Sequence, residues 1–151
     1  MPGYKAHLAA GAVTAAPLVY ILQSQASSPG VLVLWAGFAL AGSLFPDIDT
    51  KSKGQKWFYR FWLVALLIFL LLKWYALFVA CTLLASAPLV VNHRGLFHKS
   101  WFLIFAPCCA AVAFIWYMPA AWKDVFWATL FFVAGTLSHL LLDFGPKRMF
   151  R

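Results

Sequence analysis

Glutamate is absent from this chain of 151 residues, and aspartate occurs only four times. Charged residues make up 11% of the sequence and hydrophobic residues 64%. A soluble domain has about 25% charged and 45–50% apolar residues, so this chain has too few charged side chains to cover a water-facing surface. No Ser/Gly-rich linker or run of charges divides it. These shortages predict a single membrane-embedded domain over residues 1–151.

The apolar runs also lack the alternation of polar and apolar residues that is typical of barrel strands. Because backbone amides in hydrocarbon must be hydrogen-bonded internally, helices remain as the way to span the bilayer. The predicted fold class is therefore all-α, a polytopic membrane helical bundle. Cys81, Cys108 and Cys109 stand inside apolar runs, with no spacing to histidine that would indicate a zinc thiolate site. We interpret them as small buried apolar residues.

Six apolar segments lie between the points where charge, proline or glycine intrudes. They cover approximately residues 6–22, 31–46, 59–72, 75–91, 100–118 and 125–143. A membrane span needs about 20 residues, so the third segment is long enough only if Trp57, Phe58 and Tyr59 extend it at the interface. The alternative is one long tilted helix through Lys73, which would give five spans.

Basic residues favour six spans, because the cytoplasmic loops of membrane proteins are enriched in Lys and Arg. With a cytoplasmic N-terminus, only Lys73 and Lys123 of the twelve basic residues lie outside. The cytoplasmic ones are Lys5, Lys51, Lys53, Lys56, Arg60, Arg94, Lys99, Lys147, Arg148 and Arg151. We therefore predict about six transmembrane helices with both termini cytoplasmic. This asymmetry explains the net charge of +8, and no nucleic-acid partner is expected.

All four histidines and three of the four aspartates border segments at this same cytoplasmic face. They are His7 at the start of the first segment, Asp47 and Asp49 at the end of the second, His93 and His98 between the fourth and fifth, and His139 and Asp143 at the end of the sixth. The topology was chosen from Lys and Arg alone, so this convergence is a separate result. Ionisable residues that border spans commonly mark a functional site, and we predict that these seven residues bind metal.

Local spacing supports shared ligation. His139 and Asp143 are four residues apart, so they lie about 40° apart on one helical face. Asp47 and Asp49 follow Pro46, where an extended or turn backbone would point both carboxylates the same way. His93 and His98 would be splayed by about 140° on a continuous helix, so we expect a bend at Gly95 to bring them together. Gly11 and Gly135, one turn from His7 and His139, leave room for neighbouring backbones to approach closely.

The number of ligands suggests more than one ion. Seven nitrogen and oxygen ligands exceed the three or four protein ligands of a single catalytic zinc, which predicts two or more divalent metal ions. Imidazole and carboxylate together suit zinc first, with manganese or iron as alternatives. Arg94 is predicted to contact the substrate, because a guanidinium matches a phosphate and cannot itself ligate a metal. The alternative interpretation of Arg94 is a positive-inside anchor.

Three motifs carry a family resemblance. Gly42-Ser-Leu-Phe-Pro-Asp-Ile-Asp49, His93-Arg-Gly-Leu-Phe-His98 and Gly135-Thr-Leu-Ser-His-Leu-Leu-Leu-Asp143, preceded by His7, resemble the YdjM-like family of inner-membrane metal-dependent hydrolases. Members of that family look distantly similar to zinc-dependent phospholipase C and P1-type nucleases. The resemblance implies a multi-pass inner-membrane location and a metal site built from the same seven residues. Phe97 and Lys99 stand where the family usually has threonine and serine, so any role of those hydroxyls is lost here.

The leading functional hypothesis is a metal-dependent phosphoesterase that acts on a phospholipid or lipid-linked phosphate at the cytoplasmic face. Asp49, Arg94 and His98 are the predicted catalytic residues, with Asp49 orienting or deprotonating the attacking water and Arg94 holding the phosphate. Membrane lipids are the expected partners. Two alternatives remain open: a divalent-cation transporter, whose site would lie nearer the bilayer midplane, and a non-enzymatic scaffold in which metal ties helix ends together.

Overall fold

The computed structural model describes residues 3–49, 52–90 and 96–146, and every regular element in these ranges is helical. Six α-helices follow in chain order: α1 (Tyr4–Leu22), α2 (Pro29–Leu44), α3 (Lys53–Leu71), α4 (Tyr75–Val90), α5 (Ser100–Tyr117) and α6 (Trp122–Phe144). Short 3₁₀ turns at Gln23–Gln25, Phe45–Asp49, Leu96–His98 and Pro119–Ala121 adjoin them. This is the all-α membrane bundle that the composition predicts.

Five of the described helices, some counted with their flanking 3₁₀ residues, are long and apolar enough to cross a membrane. They are Tyr4–Gln25, Pro29–Ile48, Lys53–Leu71, Ser100–Tyr117 and Pro119–Phe144. The sixth, α4, has 16 residues, which corresponds to about 24 Å of helix against a hydrocarbon thickness of about 30 Å. The segments drawn from the sequence are therefore recovered as helices, although the fourth is short for a span.

The third and fourth segments are separate helices, so the alternative of one continuous helix through Lys73 is wrong. Lys73 has a left-handed backbone conformation with φ of 59°, which an α-helix of L-residues cannot continue through. The third helix also begins at Lys53, ahead of Trp57, and this confirms the extension that the sequence required. Ser52 caps it, because its Oγ accepts a hydrogen bond from the Gln55 amide at 3.0 Å.

Helices α1, α2 and α6 form the centre of the bundle, with α5 packed on α6 and α4 on α3. Trp35, Ala39, Ala128 and Phe131 are buried among these three central helices together with Ala15. Their backbones are close: a Cβ on Gly135 would collide with the carbonyl of Ala39. The expectation of close approach from Gly11 and Gly135 is confirmed.

The interpretation of Cys108 and Cys109 as buried is wrong, because both are exposed on the surface of α5. Cys81 is partly buried. In a membrane protein an apolar side chain does not need a protein partner, since lipid tails are as apolar as the protein interior. Burial rules learned from soluble proteins therefore fail on the lipid-facing side of α5.

Candidate metal centre

The last turns of α6 carry the pair that the sequence spacing predicts. His139 and Asp143 lie on one face, with His139 Nε2 3.4 Å from Asp143 Oδ2. Gly145, with φ of 70°, ends the helix directly beyond them. The six buried residues of α6 lie on the face that packs on the bundle: Ala128, Phe131, Gly135, Thr136, His139 and Leu140. The face of α6 that packs into the core therefore also directs the His139 imidazole inward.

Helix α1 adds His7 to this pair. Its Nε2 lies 3.5 Å from Asp143 Oδ1, and its ring is stacked on that of His139 with centroids 3.8 Å apart and planes inclined by 16°. This proximity depends on Gly11, one turn later, where an added Cβ would come within 2.6 Å of Ser43 Oγ. The absent side chain therefore lets α1 approach α2, and with it brings His7 to α6.

The 3₁₀ turns that follow α2 and precede α5 supply two more candidate ligands, Asp47 and His98. Asp47 Oδ1 lies 3.7 Å from His139 Nε2 and 3.9 Å from His98 Nε2. Ser52 Oγ donates a hydrogen bond of 2.8 Å to the backbone carbonyl of Asp47. The cap of α3 thus also fixes the backbone of the turn that presents this carboxylate.

We call these five side chains the His/Asp cluster: His7, Asp47, His98, His139 and Asp143. Their ligand atoms form two groups, His7–His139–Asp143 and Asp47–His98–His139, each with all atoms within 4.8 Å of one another. The side chains of His7, His98, His139 and Asp143 are 0–3% exposed, and that of Asp47 is 25% exposed. Asp47 is therefore the open edge of a buried cluster.

The backbone fixes the tautomer of His139. Its Nδ1 lies 2.7 Å from the carbonyl oxygen of Ser43, and because a carbonyl can only accept, Nδ1 carries a proton. Nε2 is then the atom that faces the carboxylates of Asp47 and Asp143. An imidazole nitrogen held between two carboxylates is stabilised there by a proton or a metal ion, and a backbone carbonyl on the other ring nitrogen is the usual support of a metal-ligating histidine.

The spacing of the cluster fits metal ligation better than direct hydrogen bonding. Its contacts of 3.4–3.9 Å are longer than the 2.7–3.2 Å of an N–H···O bond. Two ligands about 2.05 Å from a tetrahedral zinc stand about 3.3 Å apart. Among the described residues, buried His139 Nε2 and Asp143 Oδ1 have no hydrogen-bond partner. The residues present therefore fit a divalent metal.

Five of the seven residues predicted as metal ligands are thus brought together. His93 and Arg94, together with the bend expected at Gly95, lie outside the described residues. Asp49 ends the 3₁₀ turn that contains Asp47, and its side chain also lies outside the description. The predicted roles of Asp49 and His93 as ligands, and of Asp49 and Arg94 in catalysis, therefore stay predictions.

Sequence reasoning missed Ser43 and Ser52 as parts of the site. Ser43 acts through its backbone carbonyl on His139, and Ser52 through its hydroxyl on the backbone of Asp47. A carbonyl contact leaves no trace in residue type. For Ser52 a signal was available, because serine three residues before a polar residue at a helix start is typical of an N-cap.

No curated protein and no solved structure matches this chain. A family model described as YdjM inner membrane protein matches residues 1–148, nearly the whole sequence. The matched range includes His7 and the three motifs, and with them every member of the His/Asp cluster. Together with the five helices that are long and apolar enough to cross a membrane, this match shows that the chain belongs to the YdjM family of multi-pass inner membrane proteins.

Proposed function

We propose that this protein is a membrane-bound, metal-dependent hydrolase, a phosphoesterase that acts on a phospholipid or lipid-linked phosphate at the cytoplasmic face. The observation that carries the proposal is the His/Asp cluster with a single open edge at Asp47. Three imidazoles and two carboxylates converge at helix ends rather than in mid-span. A substrate whose phosphate lies at the membrane surface could reach such a site without leaving the bilayer.

The cluster offers ligands for one ion or for two. His139 has one free ring nitrogen, so it can bind one ion. Asp143 presents Oδ1 to His7 and Oδ2 to His139, and a carboxylate placed in this way can bridge two ions. Asp49 and His93 are proposed as additional ligands. Zinc is the first candidate, with manganese or iron as alternatives.

Each residue is proposed to contribute in a different way. A divalent metal at this site would supply Lewis acidity and lower the pKa of a coordinated water. The side chains of His7, His98, His139 and Asp143 are nearly inaccessible to bulk water, and Asp47 leaves the site open on one side. Asp49 would orient or take a proton from the attacking water, and Arg94 would hold the phosphate oxygens. His98 would bind metal beside Asp47 and act in catalysis from that position.

The direct test is hydrolysis by purified full-length protein loaded with zinc or manganese. Phosphatidyl lipids, a lipid phosphate and a generic phosphodiester are offered in parallel. We expect turnover of at least one of them, and a loss of more than about 100-fold in His98→Ala, because even second-shell changes at metal sites cost about 10–100-fold. Cys108→Ser, on the exposed face of α5, is the control. The hydrolase proposal fails if metal-loaded protein cleaves none of them.

A metal-stabilised scaffold is the second candidate, favoured by the near-complete burial of four ligands. In that case metal removal would lower the thermal stability, and no substrate would be cleaved. Transport of a divalent cation has less support. The described candidate ligands lie in the first turn of α1, the last two turns of α6 and the adjoining 3₁₀ turns, whereas transporter sites lie near the midplane. Zinc flux into liposomes that is lost in Asp143→Ala would favour transport.

A further inference from the structure

The first two turns of α3 carry a cationic surface beside the His/Asp cluster. Lys53, Lys56 and Arg60 are all exposed, and at positions i, i+3 and i+7 they lie within about 60° of one another around the helix. We call these three residues the basic face. It is distinct from the side of α3 that carries Gly54, which is buried against the end of α2.

The basic face has no carboxylate to neutralise it within the described part of the chain. The protein contains no glutamate. Of the three aspartates whose side chains are described, Asp47 and Asp143 are engaged with histidines, and Asp124 lies in the first turn of α6, on the side opposite to the start of α3 by topology. The side chain of Asp49 lies outside the description. Lys53 instead contacts Tyr4, with Nζ 3.2 Å from the phenol oxygen and 4.3 Å from the ring centroid.

The basic face also lies at the level of the membrane interface. Trp57, within the same two turns, is 64% exposed, and the Arg60 guanidinium lies 5.7 Å from its ring centroid. Exposed tryptophan is typical of the headgroup level. Arg60 lies about 10 Å further along α3 than Lys53, so its side chain reaches back toward the headgroups, where a lipid phosphate can pair with its charge.

Two contacts connect the basic face to the cluster. Ser52, directly before Lys53, is hydrogen-bonded to the backbone of Asp47. Tyr4, which Lys53 contacts, precedes His7 by three residues on α1. A group bound to the basic face is thereby adjacent to the two elements that present Asp47 and His7.

We propose that the basic face binds the phosphate headgroup of an anionic membrane lipid and thereby selects anionic over zwitterionic lipids. Lipid phosphates are the anions present at this depth, and two or three cations on one helical face favour a headgroup with net negative charge. The further step, that such a lipid is the substrate class of the neighbouring site, rests on the proposed function.

The test compares lipid binding by full-length protein in detergent with a metal chelator present. Phosphatidylglycerol and phosphatidylcholine are titrated separately, and bound lipid is counted by native mass spectrometry. We expect tighter binding of phosphatidylglycerol, and a loss on the order of 10-fold or more in Lys56→Gln/Arg60→Gln. Lys123→Gln is the matched control, because this lysine lies over the Trp122 ring at 5.8 Å on the other side of the membrane.

The proposal is overturned if wild-type protein shows no preference between the two lipids, or if Lys123→Gln weakens binding as much as the double variant. Lys56→Gln alone repeats the comparison if the double variant unfolds. Because the chelator removes hydrolysis from this assay, the two proposals separate. Lipid selectivity without turnover in the hydrolysis assay would contradict the hydrolase proposal alone. Turnover without lipid selectivity would contradict the proposed headgroup site alone.

Discussion

At the scale of single residues, His139 connects the two halves of the His/Asp cluster. Its ring stacks on His7, its Nδ1 donates to the carbonyl of Ser43, and its Nε2 faces the two carboxylates of the cluster. The hydrogen bond from Nδ1 leaves Nε2 as the ring nitrogen that could bind a metal. A change at His139 therefore affects both groups of ligands, whereas a change at His7 or His98 affects only one.

Two aspartates on α6 allow a matched test of metal binding. Asp143 belongs to the cluster, and Asp124 lies in the first turn of the same helix. Asp143→Asn removes a charged ligand, so we expect the metal content of purified protein to fall to a minor fraction of the wild-type value. Asp124→Asn should leave it unchanged. Equal metal content in all three proteins, measured by elemental analysis, would contradict metal binding at this cluster.

Ser52 provides a prediction about stability. Its hydroxyl both caps α3 and bonds to the backbone of Asp47, so Ser52→Ala should destabilise the protein by about 1 kcal/mol. Ser86 is the control, because its Oγ only bonds to the carbonyl of Leu83 within α4. Thermal unfolding in detergent should show a lower midpoint for Ser52→Ala than for Ser86→Ala. If the two variants unfold alike, the cap does not hold the turn of Asp47.

At the scale of elements, the approach of α1, α2 and α6 depends on glycines at their contacts. Gly42 faces the backbone of Phe132, Gly135 faces that of Ala39, and Gly11 faces Ser43. Without side chains at these points, van der Waals contact between backbones replaces the hydrophobic driving force that is absent in lipid. The same three helices carry His7, Ser43 and His139. The close packing of these helices therefore also brings the residues of the cluster together.

Glycine-to-alanine substitutions distinguish the effect of this close packing on stability from the effect of helix propensity. Gly135→Ala would drive a Cβ into the carbonyl of Ala39, and overpacking of this kind costs about 1–3 kcal/mol. Gly37→Ala meets nothing within 4 Å, so it should be neutral or slightly stabilising, since alanine favours a helix by about 1 kcal/mol. Thermal unfolding and metal content check both variants. A Gly135→Ala protein as stable as wild type would show that α2 and α6 can separate at no cost.

At the scale of the whole molecule, the cluster lies at one end of the bundle. The start of α1, the end of α2, the start of α5 and the end of α6 meet there. The basic face at the start of α3 lies at this end too. The distribution of Lys and Arg predicts that this end is cytoplasmic.

Cysteine labelling tests this orientation. In a background with Cys81, Cys108 and Cys109 replaced by alanine, Met118→Cys should react with an impermeant maleimide added to intact cells. Lys99→Cys, next to the cluster, should react only after the inner membrane is opened. Both positions are exposed, so accessibility does not bias the comparison. The reverse pattern would place the cluster outside and exclude a substrate in the cytoplasmic leaflet.

The sequence by itself determined that the protein is an all-helical membrane protein, and its seven predicted ligands include the five residues of the cluster. Hydropathy and charge asymmetry are properties of local composition, and the spacing of His139 and Asp143 follows from the helical repeat. The sequence was less decisive at Lys73. Charge counting favoured two helices there, but only the left-handed backbone of Lys73 showed where the first one ends.

Only the tertiary structure decided how the cluster is assembled. That His139 is shared by both ligand groups, that the carbonyl of Ser43 orients it, and that Asp47 is the open edge all depend on distances between helices. The same holds for the contact of Lys53 with Tyr4, 49 residues apart. Residue types and periods do not encode these distances. They are set by how closely glycine lets the backbones of α1, α2 and α6 approach.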